Sequence, residues 1–559
     1  MRDERVPVIV CGGGYAGLTT AFFLALRGVR VLLAERHEGT SAQPKAFGIG
    51  PRTMELLRAA PGLERAIMEM SAEVSDDTRI AMGSSLSDPE PTVLVESDEA
   101  EMAALAAITP SPGAGVPQAE VERVLRRMAE EAGADLRFST RLTGFEQDAD
   151  GVTAVLRDLR TGRESTVRAD YLVAADGHRS GVRRALGVPT GGRGDLGQMR
   201  SILFEADLGG LVRERETVIW YVHSPVLEGA IVTGIGAAGH LLGVQYGPGD
   251  RPAYPEERAV ELVRVAVGLP DLPVKIVDQG SFTIAHLTAG RYAEGRVFLT
   301  GDAAHTMPPT GGMGGSTAII DGYDIAWRLA LVLRGEAGPG LLAAYDAERR
   351  PAANLTADHQ LANFGVRISP ELRGELPEPV EDVYSLILGY RCHSPAILTE
   401  PGDDGSLLED PRVPTGRPGS RAPHVVLERG GVPISTLDLY GAGLTLVCGP
   451  DGAAWADAGR TVADRLGVTL AVHVVAPAGS PAYGTAPGTS PAYGTACRAP
   501  EAYGGLVDRD GVWANRHGVG AAGAALVRPD GIIAWRAPGP AGDPAATMGD
   551  VLERALCRT

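Results

Sequence analysis

The apolar pattern along the chain divides it into three units. Residues 6–11, VPVIVC, form a continuous apolar run before a Gly-rich stretch and read as a buried strand. An apolar helix over about 17–27 and a second strand, VRVLLAER, complete a βαβ start. Over 118–132, Val121, Leu125 and Met128 recur on one face of an amphipathic helix. Residues 152–157 and 165–175 read as strands, the second ending in YLVAADG. Between 190 and 285 short strands alternate with Gly and Pro turns, as in TVIWYVH, AIVTGIG and LLGVQYG, which predicts an antiparallel sheet. The first pattern returns at RVFLTGD, 296–302. A helix over about 316–333 follows, then a second through LLAAYDAERRPAANLTADHQ.

These patterns predict domain boundaries. Residues 1–185 and 286–400 form two parts of one α/β nucleotide-binding domain, with a sheet domain over 186–285 inserted between them. Residues 401–424, rich in Pro, Gly and Asp, read as a linker. Residues 425–559 form a small α/β domain with strands at STLDLY, LTLVCG, TLAVHVVA, AALVRPD and GIIAWR and a helix over about 457–466. SPAYGTA occurs at Ser480 and again at Ser490, with an echo at Pro500, and reads as a duplicated surface loop.

Composition narrows the function classes. No run of 18 apolar residues suggests a membrane-spanning helix, and MRDERVPVIV lacks the apolar core of a secretory signal, so a cytoplasmic protein is expected. The net charge of −18, from 52 basic and 70 acidic residues, offers no basic stripe for nucleic acid. The bases are almost all arginine, with lysine only at Lys45 and Lys275, as in GC-rich bacterial genomes. Five scattered cysteines without CxxC, and histidines without HExxH, give no metal site and fit a reduced compartment.

The first chemical motif is Gly12-Gly13-Gly14-Tyr15-Ala16-Gly17, a GxGxxG between strand and helix. Gly12 makes the tight turn, Gly14 admits a pyrophosphate to the backbone, and Gly17 lets helix pack on strand. Glu35 ends the second strand, where a carboxylate accepts hydrogen bonds from a ribose, and its charge favours FAD or NAD over a phosphorylated ribose. Two further signals exceed a simple dehydrogenase: Asp176-Gly177, and Gly301-Asp302 followed by Pro308, Pro309, Gly311, Gly312, Gly314, Gly315 and a helix from Ser316. Such a loop brings bare backbone against something flat and aims a helix N-terminus at negative charge.

In these motifs, their order and their spacing, residues 5–400 resemble the class A flavoprotein monooxygenases of the p-hydroxybenzoate and phenol hydroxylase type. QPKAFGIGPRTMELL (43–57) and LGYRCHSPAI (388–397) resemble the branch of chlorophenol and actinomycete aromatic-polyketide hydroxylases. That branch carries a C-terminal thioredoxin-like domain, whose start and end GRPGSRAPHVVL and ALVRPDGIIAWR resemble; without CxxC, no thioredoxin chemistry is implied. The implied fold is a Rossmann-like FAD-binding domain with an inserted antiparallel-sheet substrate domain and this third domain.

The resemblance also implies roles. Gly12, Gly14, Tyr15, Ala16, Gly17, Glu35 and Arg36 hold the AMP half of FAD, and Lys45 stands where an arginine is usual. Gln118 contacts the cofactor or simply caps its helix. Asp302 binds the ribityl chain and Asp176 supports the FAD and NAD(P)H region. Backbone at Gly312, Gly314, Gly315 and Ser316 meets the flavin pyrimidine edge, and the Pro309 carbonyl lies near the reactive carbon. The loop departs from the family in reading Gly-Gly-Ser where Gly-Met-Asn or Gly-Leu-Asn is usual. Pro309 and Arg52 are the catalytic candidates, Arg52 at the pocket rim or else in a helix-start salt bridge. Trp220, Tyr221, His223 and Tyr246 are substrate candidates or packed sheet residues.

The implied activity is NADH- or NADPH-driven hydroxylation of a phenol or polycyclic polyketide-like aromatic by O₂, through a flavin hydroperoxide, in a monomer or homodimer. Baeyer-Villiger or decarboxylating oxygenation on the same fold, and a non-catalytic FAD-binding relative, are the alternatives.

Overall fold

The strand Glu4–Cys11 pairs in parallel with Glu164–Ala174 on one side and Val31–Ala34 on the other. Val297–Leu299 and Asp135–Arg137 extend the parallel run outward. Val8, Ile9 and Val10 are wholly buried, as in a parallel sheet covered on both faces. Helices Tyr15–Leu26 and Met313–Leu333 pack on this sheet within one continuous apolar core. In this computed structural model, residues 4–41, 47–71, 78–96, 99–212, 217–233, 239–246, 254–479 and 505–558 are described. Lys45 and the SPAYGTA repeat lie outside them.

The second sheet has eight strands, ordered His305–Thr306, Lys275–Ala289, Thr190–Glu205, His240–Tyr246, Glu228–Val232, Thr217–His223, Thr78–Gly83 and Thr92–Glu96. All its pairs are antiparallel except Thr217–His223 with Thr78–Gly83. The last two strands come from upstream of the inserted segment, so the sheet is built from both sides of the nucleotide-binding fold. Its outer face carries Phe204, Trp220, Val222 and Leu242 and packs on helix Glu256–Val267. Its inner face carries Met199, Tyr221 and Ile284, against Phe364 and Ile368 at the end of helix Gly340–Arg367.

The third sheet has seven strands, with Leu444–Cys448 between Leu470–Pro477 and Ala524–Val527. STLDLY does not form a strand. Ser435 closes a strand Val432–Ser435 and caps a 3₁₀ turn Thr436–Leu439, its hydroxyl accepting from Leu437 N while Asp438 accepts from Ser435 N. This reciprocal cap overrides the apolar alternation. Leu446, Trp455, Met548 and Leu552 join the same core as the first domain. Buried ion pairs reinforce the junction: Arg328 binds Asp324 and Glu348, and Arg528 of the third domain binds Glu348 and Asp530.

Candidate active site

The nucleotide-binding strands and the inner face of the second sheet wall one cavity of about 1660 Å³. A typical ligand pocket holds roughly 300–1,000 Å³, so this space takes a cofactor and a second molecule.

At the cofactor end, Gly12 has φ +110°, and a Cβ there would lie 2.1 Å from the Ala175 carbonyl oxygen. A Cβ on Gly17 would lie 1.9 Å from the Gly12 oxygen, so turn and helix close only on glycine. Gly14 differs. Its Cβ position meets only Glu122 Oε1, at 3.8 Å, and the residue lines the cavity. The folded chain does not demand glycine there, and its absence of a side chain leaves the backbone open to the cavity. Gly14 also starts helix Tyr15–Leu26 in extended conformation with no side-chain cap, and the first-turn N–H groups have no intrahelical partner.

Glu35 Oε2 accepts from Gly13 N at 2.6 Å, and its Oε1 from His37 N at 2.8 Å. The carboxylate thus stands beside the glycine turn, with Arg36, His37, His178 and Arg179 along the same wall. Asp176 Oδ2 accepts from Val182 N at 3.1 Å, while its buried Oδ1 has no partner among the described residues. Gln118 lines the cavity but donates its amide to Glu122 Oε1 at 2.6 Å instead of capping its helix. Open glycine backbone, an uncapped helix start and two arginines as donors, with a carboxylate as acceptor, fit the pyrophosphate and ribose of FAD.

Asp302 faces the cavity in the turn Gly301–Ala303. Behind it stands a group that motif reading misses. Asp321, fully buried, accepts from Gly301 N (3.1 Å), His305 Nε2 (2.7 Å) and Arg349 Nε (2.8 Å). Burial would raise the pKa of this carboxyl, but Arg349 and His305 together outweigh it and hold it below the usual range.

The Pro308–Gly315 loop is held from behind. Gln360 Nε2 donates to Pro308 O (3.1 Å) and Thr310 Oγ1 to Gln360 O (2.6 Å). The Pro309 carbonyl accepts from Gly312 N at 3.1 Å, closing a turn. The helix starts at Met313, three residues before the expected Ser316, because Gly314 and Gly315 carry no helix signal in sequence. Ser316, where the family has asparagine, ties this helix to a neighbour: its Oγ accepts from Gly50 N (3.0 Å) and its carbonyl from Thr53 Oγ1 (3.3 Å).

Arg52 stands at the junction of cavity and helix. It lines the cavity and pairs with Glu55 Oε2 at 3.1 Å within helix Pro51–Leu57. Of the four sheet candidates, only Tyr221 lines the cavity, with Ile219, Met199, Ile284 and Gly243. Trp220 is one residue out of phase and packs on the outer helix. Tyr246 lies against the Arg200 guanidinium, and His223, at the strand end, pairs with Glu228 at 2.5 Å. Arg367 was not anticipated: it lines the cavity 5.8 Å from the Tyr221 ring centroid, and none of the described carboxylates pairs with it.

Comparison with known proteins follows this geometry. Residues 5–360 match a family model described as an FAD binding domain, and residues 415–559 one described as aromatic-ring hydroxylase, C-terminal. The chain is 39% identical over 568 residues to 4-methyl-5-nitrocatechol 5-monooxygenase of Burkholderia sp, covering 100% of this chain and 98% of that one. It is 39% identical to aklavinone 12-hydroxylase RdmE of Streptomyces purpurascens over the full length of both. Its structure is similar to that of aklavinone-11 hydroxylase in complex with FAD and aklavinone, with TM-score 0.88, 39% identity and full coverage of both chains.

Proposed function

The chain belongs to the FAD-dependent aromatic-ring hydroxylases, and from that premise we propose that its substrate is a planar, polycyclic phenol of polyketide type. FAD, when bound, takes two electrons from NAD(P)H and supplies activated oxygen from O₂; one atom enters the ring and the other leaves as water. The chain's own residues do the rest. Gly14 and the helix start bind phosphate, Glu35 takes the ribose, and Asp302 takes the ribityl chain. The Pro308–Gly315 loop offers backbone to the flavin, and the dipole of helix Met313–Leu333 favours negative charge at its pyrimidine edge.

The observation that carries the substrate class is the cavity lining at the inner sheet face. Ile219, Tyr221, Met199 and Ile284 supply apolar and aromatic surface there, with Gln198 and Thr283 as polar neighbours. Arg367 is the cation beside it, placed to hold a phenol oxygen as phenolate and so enrich the ring for oxygen transfer. No step requires a buried carboxylate base.

The test compares polycyclic hydroxyquinones with monocyclic catechols on the FAD-loaded protein. Stimulated NADPH or NADH oxidation with a product heavier by one oxygen is expected for the polycyclic series. Turnover confined to monocyclic catechols would refute the substrate class. A product with an inserted ring oxygen would assign Baeyer-Villiger chemistry to the same site.

A further inference from the structure

The third domain reaches the cavity wall. Arg421, Asp530 and Ile532 line it, although all three lie in or beside the thioredoxin-like unit. Arg421 and Ile532 form a β-bridge, and Ala422 N donates to Gly531 O at 2.8 Å, so Arg421 and the turn 529–532 are one piece.

That piece is wedged between two elements of the FAD-binding domain. Toward helix Pro51–Leu57, Arg421 forks onto Glu55, through Nε to Oε2 at 2.8 Å and through Nη2 to Oε1. It also donates to Ile108 O at 2.8 Å. Glu55 in turn holds Arg52 at 3.1 Å and accepts from Thr109 Oγ1 at 2.6 Å. Arg52 donates to the Asp530 carbonyl. Toward helix Met313–Leu333, Tyr323 donates to Pro529 O at 2.8 Å. The two helices also clasp each other through Gly50, Thr53 and Ser316, at the N-terminus that faces the cofactor space.

Burial alone would raise the Glu55 carboxyl, but Arg421, Arg52 and the Thr109 hydroxyl together lower it below its ordinary value, which favours the ionised carboxylate. Of the two guanidinium groups on Glu55, Arg52 is the more open and lines the cavity.

We propose that Arg421 is a positioning residue for the flavin site: through Glu55 it fixes Arg52 and the Gly50–Ser316 clasp, so that the C-terminal domain completes the cofactor wall. The inference rests on the FAD reading of the cavity but not on the substrate class, and its test needs no substrate.

Removing Arg421 alone strands a buried carboxylate and endangers folding. The double variant Glu55→Gln/Arg421→Met removes both charges at similar volume. Its FAD dissociation constant, measured by fluorescence, is expected to rise at least fivefold, with a shifted visible flavin spectrum. Arg421→Lys keeps the charge but loses the fork, and should fall between. Arg536→Met is the structural comparison. It breaks the fork onto Glu400, away from the cavity, and should lower thermal stability with FAD affinity and spectrum unchanged. A double variant that melts earlier yet binds FAD with wild-type affinity and spectrum would overturn the proposal. A wild-type chain that takes up no FAD would instead refute the cofactor reading itself.

Discussion

At the scale of single residues, the glycines separate structural from ligand-driven requirements. Gly17→Ala pushes a methyl to 1.9 Å from the Gly12 oxygen, backbone against backbone, and is expected to yield little folded protein. Gly14→Ala meets no backbone, and should fold with an unchanged melting temperature while its FAD affinity falls at least tenfold. Calorimetry and flavin fluorescence read the two effects independently; equal FAD affinity for Gly14→Ala and wild type would contradict the assigned phosphate cradle. Both glycines were legible in the sequence, because GxGxxG has a fixed spacing between strand and helix. Asp321 and Arg367 were not. Asp321 gains its three donors from positions 301, 305 and 349, and Arg367 meets Tyr221 from 146 residues away, contacts that no local spacing records.

At the scale of elements, the strand Thr217–His223 shows where pattern reading stops. Its β character is plain, but which face meets the cavity depends on register with Thr78–Gly83 and Glu228–Val232. That register sends Tyr221 inward and Trp220 to the helix side. Two substitutions one residue apart should therefore behave oppositely. Trp220→Ala opens a hole in the outer core and should cost about 3–5 kcal/mol of stability with KM for the aromatic substrate unchanged. Tyr221→Phe leaves stability within about 1 kcal/mol but should raise KM or lower the yield of product per NAD(P)H consumed. A raised KM for Trp220→Ala in protein that remains folded would contradict this register. The same limit explains the 3₁₀ turn at Thr436–Leu439: its apolar alternation mimics a strand, and the reciprocal Ser435–Asp438 cap decides otherwise.

At the scale of the whole molecule, the third domain shares its core with the first and holds histidines whose burial opposes protonation. His517 and His424 are buried there, and burial lowers each to about 4 from an ordinary value of 6.5. Unfolded chains take up protons at these sites first as pH falls, so stability is complete above about 6.5 and is lost progressively toward 4. The loss is on the order of 3 kcal/mol for each site at full effect. Melting temperature should drop between pH 6.5 and 4, and His517→Gln, tolerated or not in absolute stability, should show a shallower slope. An unchanged slope would place the acid lability elsewhere. That strands of three separate patterns occur was legible from periodicity, but not that Thr78–Gly83 and Thr92–Glu96, upstream of the expected insert, join the second sheet. The docking of the third unit was not legible either, since it depends on the Arg528–Glu348 and Arg421–Glu55 pairs across long stretches of chain.

Together these parts are inferred to oxygenate a polycyclic phenol. The most direct measurement supplies the FAD-loaded protein with NADPH or NADH, a polycyclic hydroxyquinone and ¹⁸O₂, and follows the product by mass and NMR. The account predicts one labelled oxygen on an aromatic carbon, formed with substrate-dependent oxidation of the nicotinamide. Nicotinamide oxidation that the aromatic compound does not stimulate, with only hydrogen peroxide produced across the polycyclic series, would contradict it.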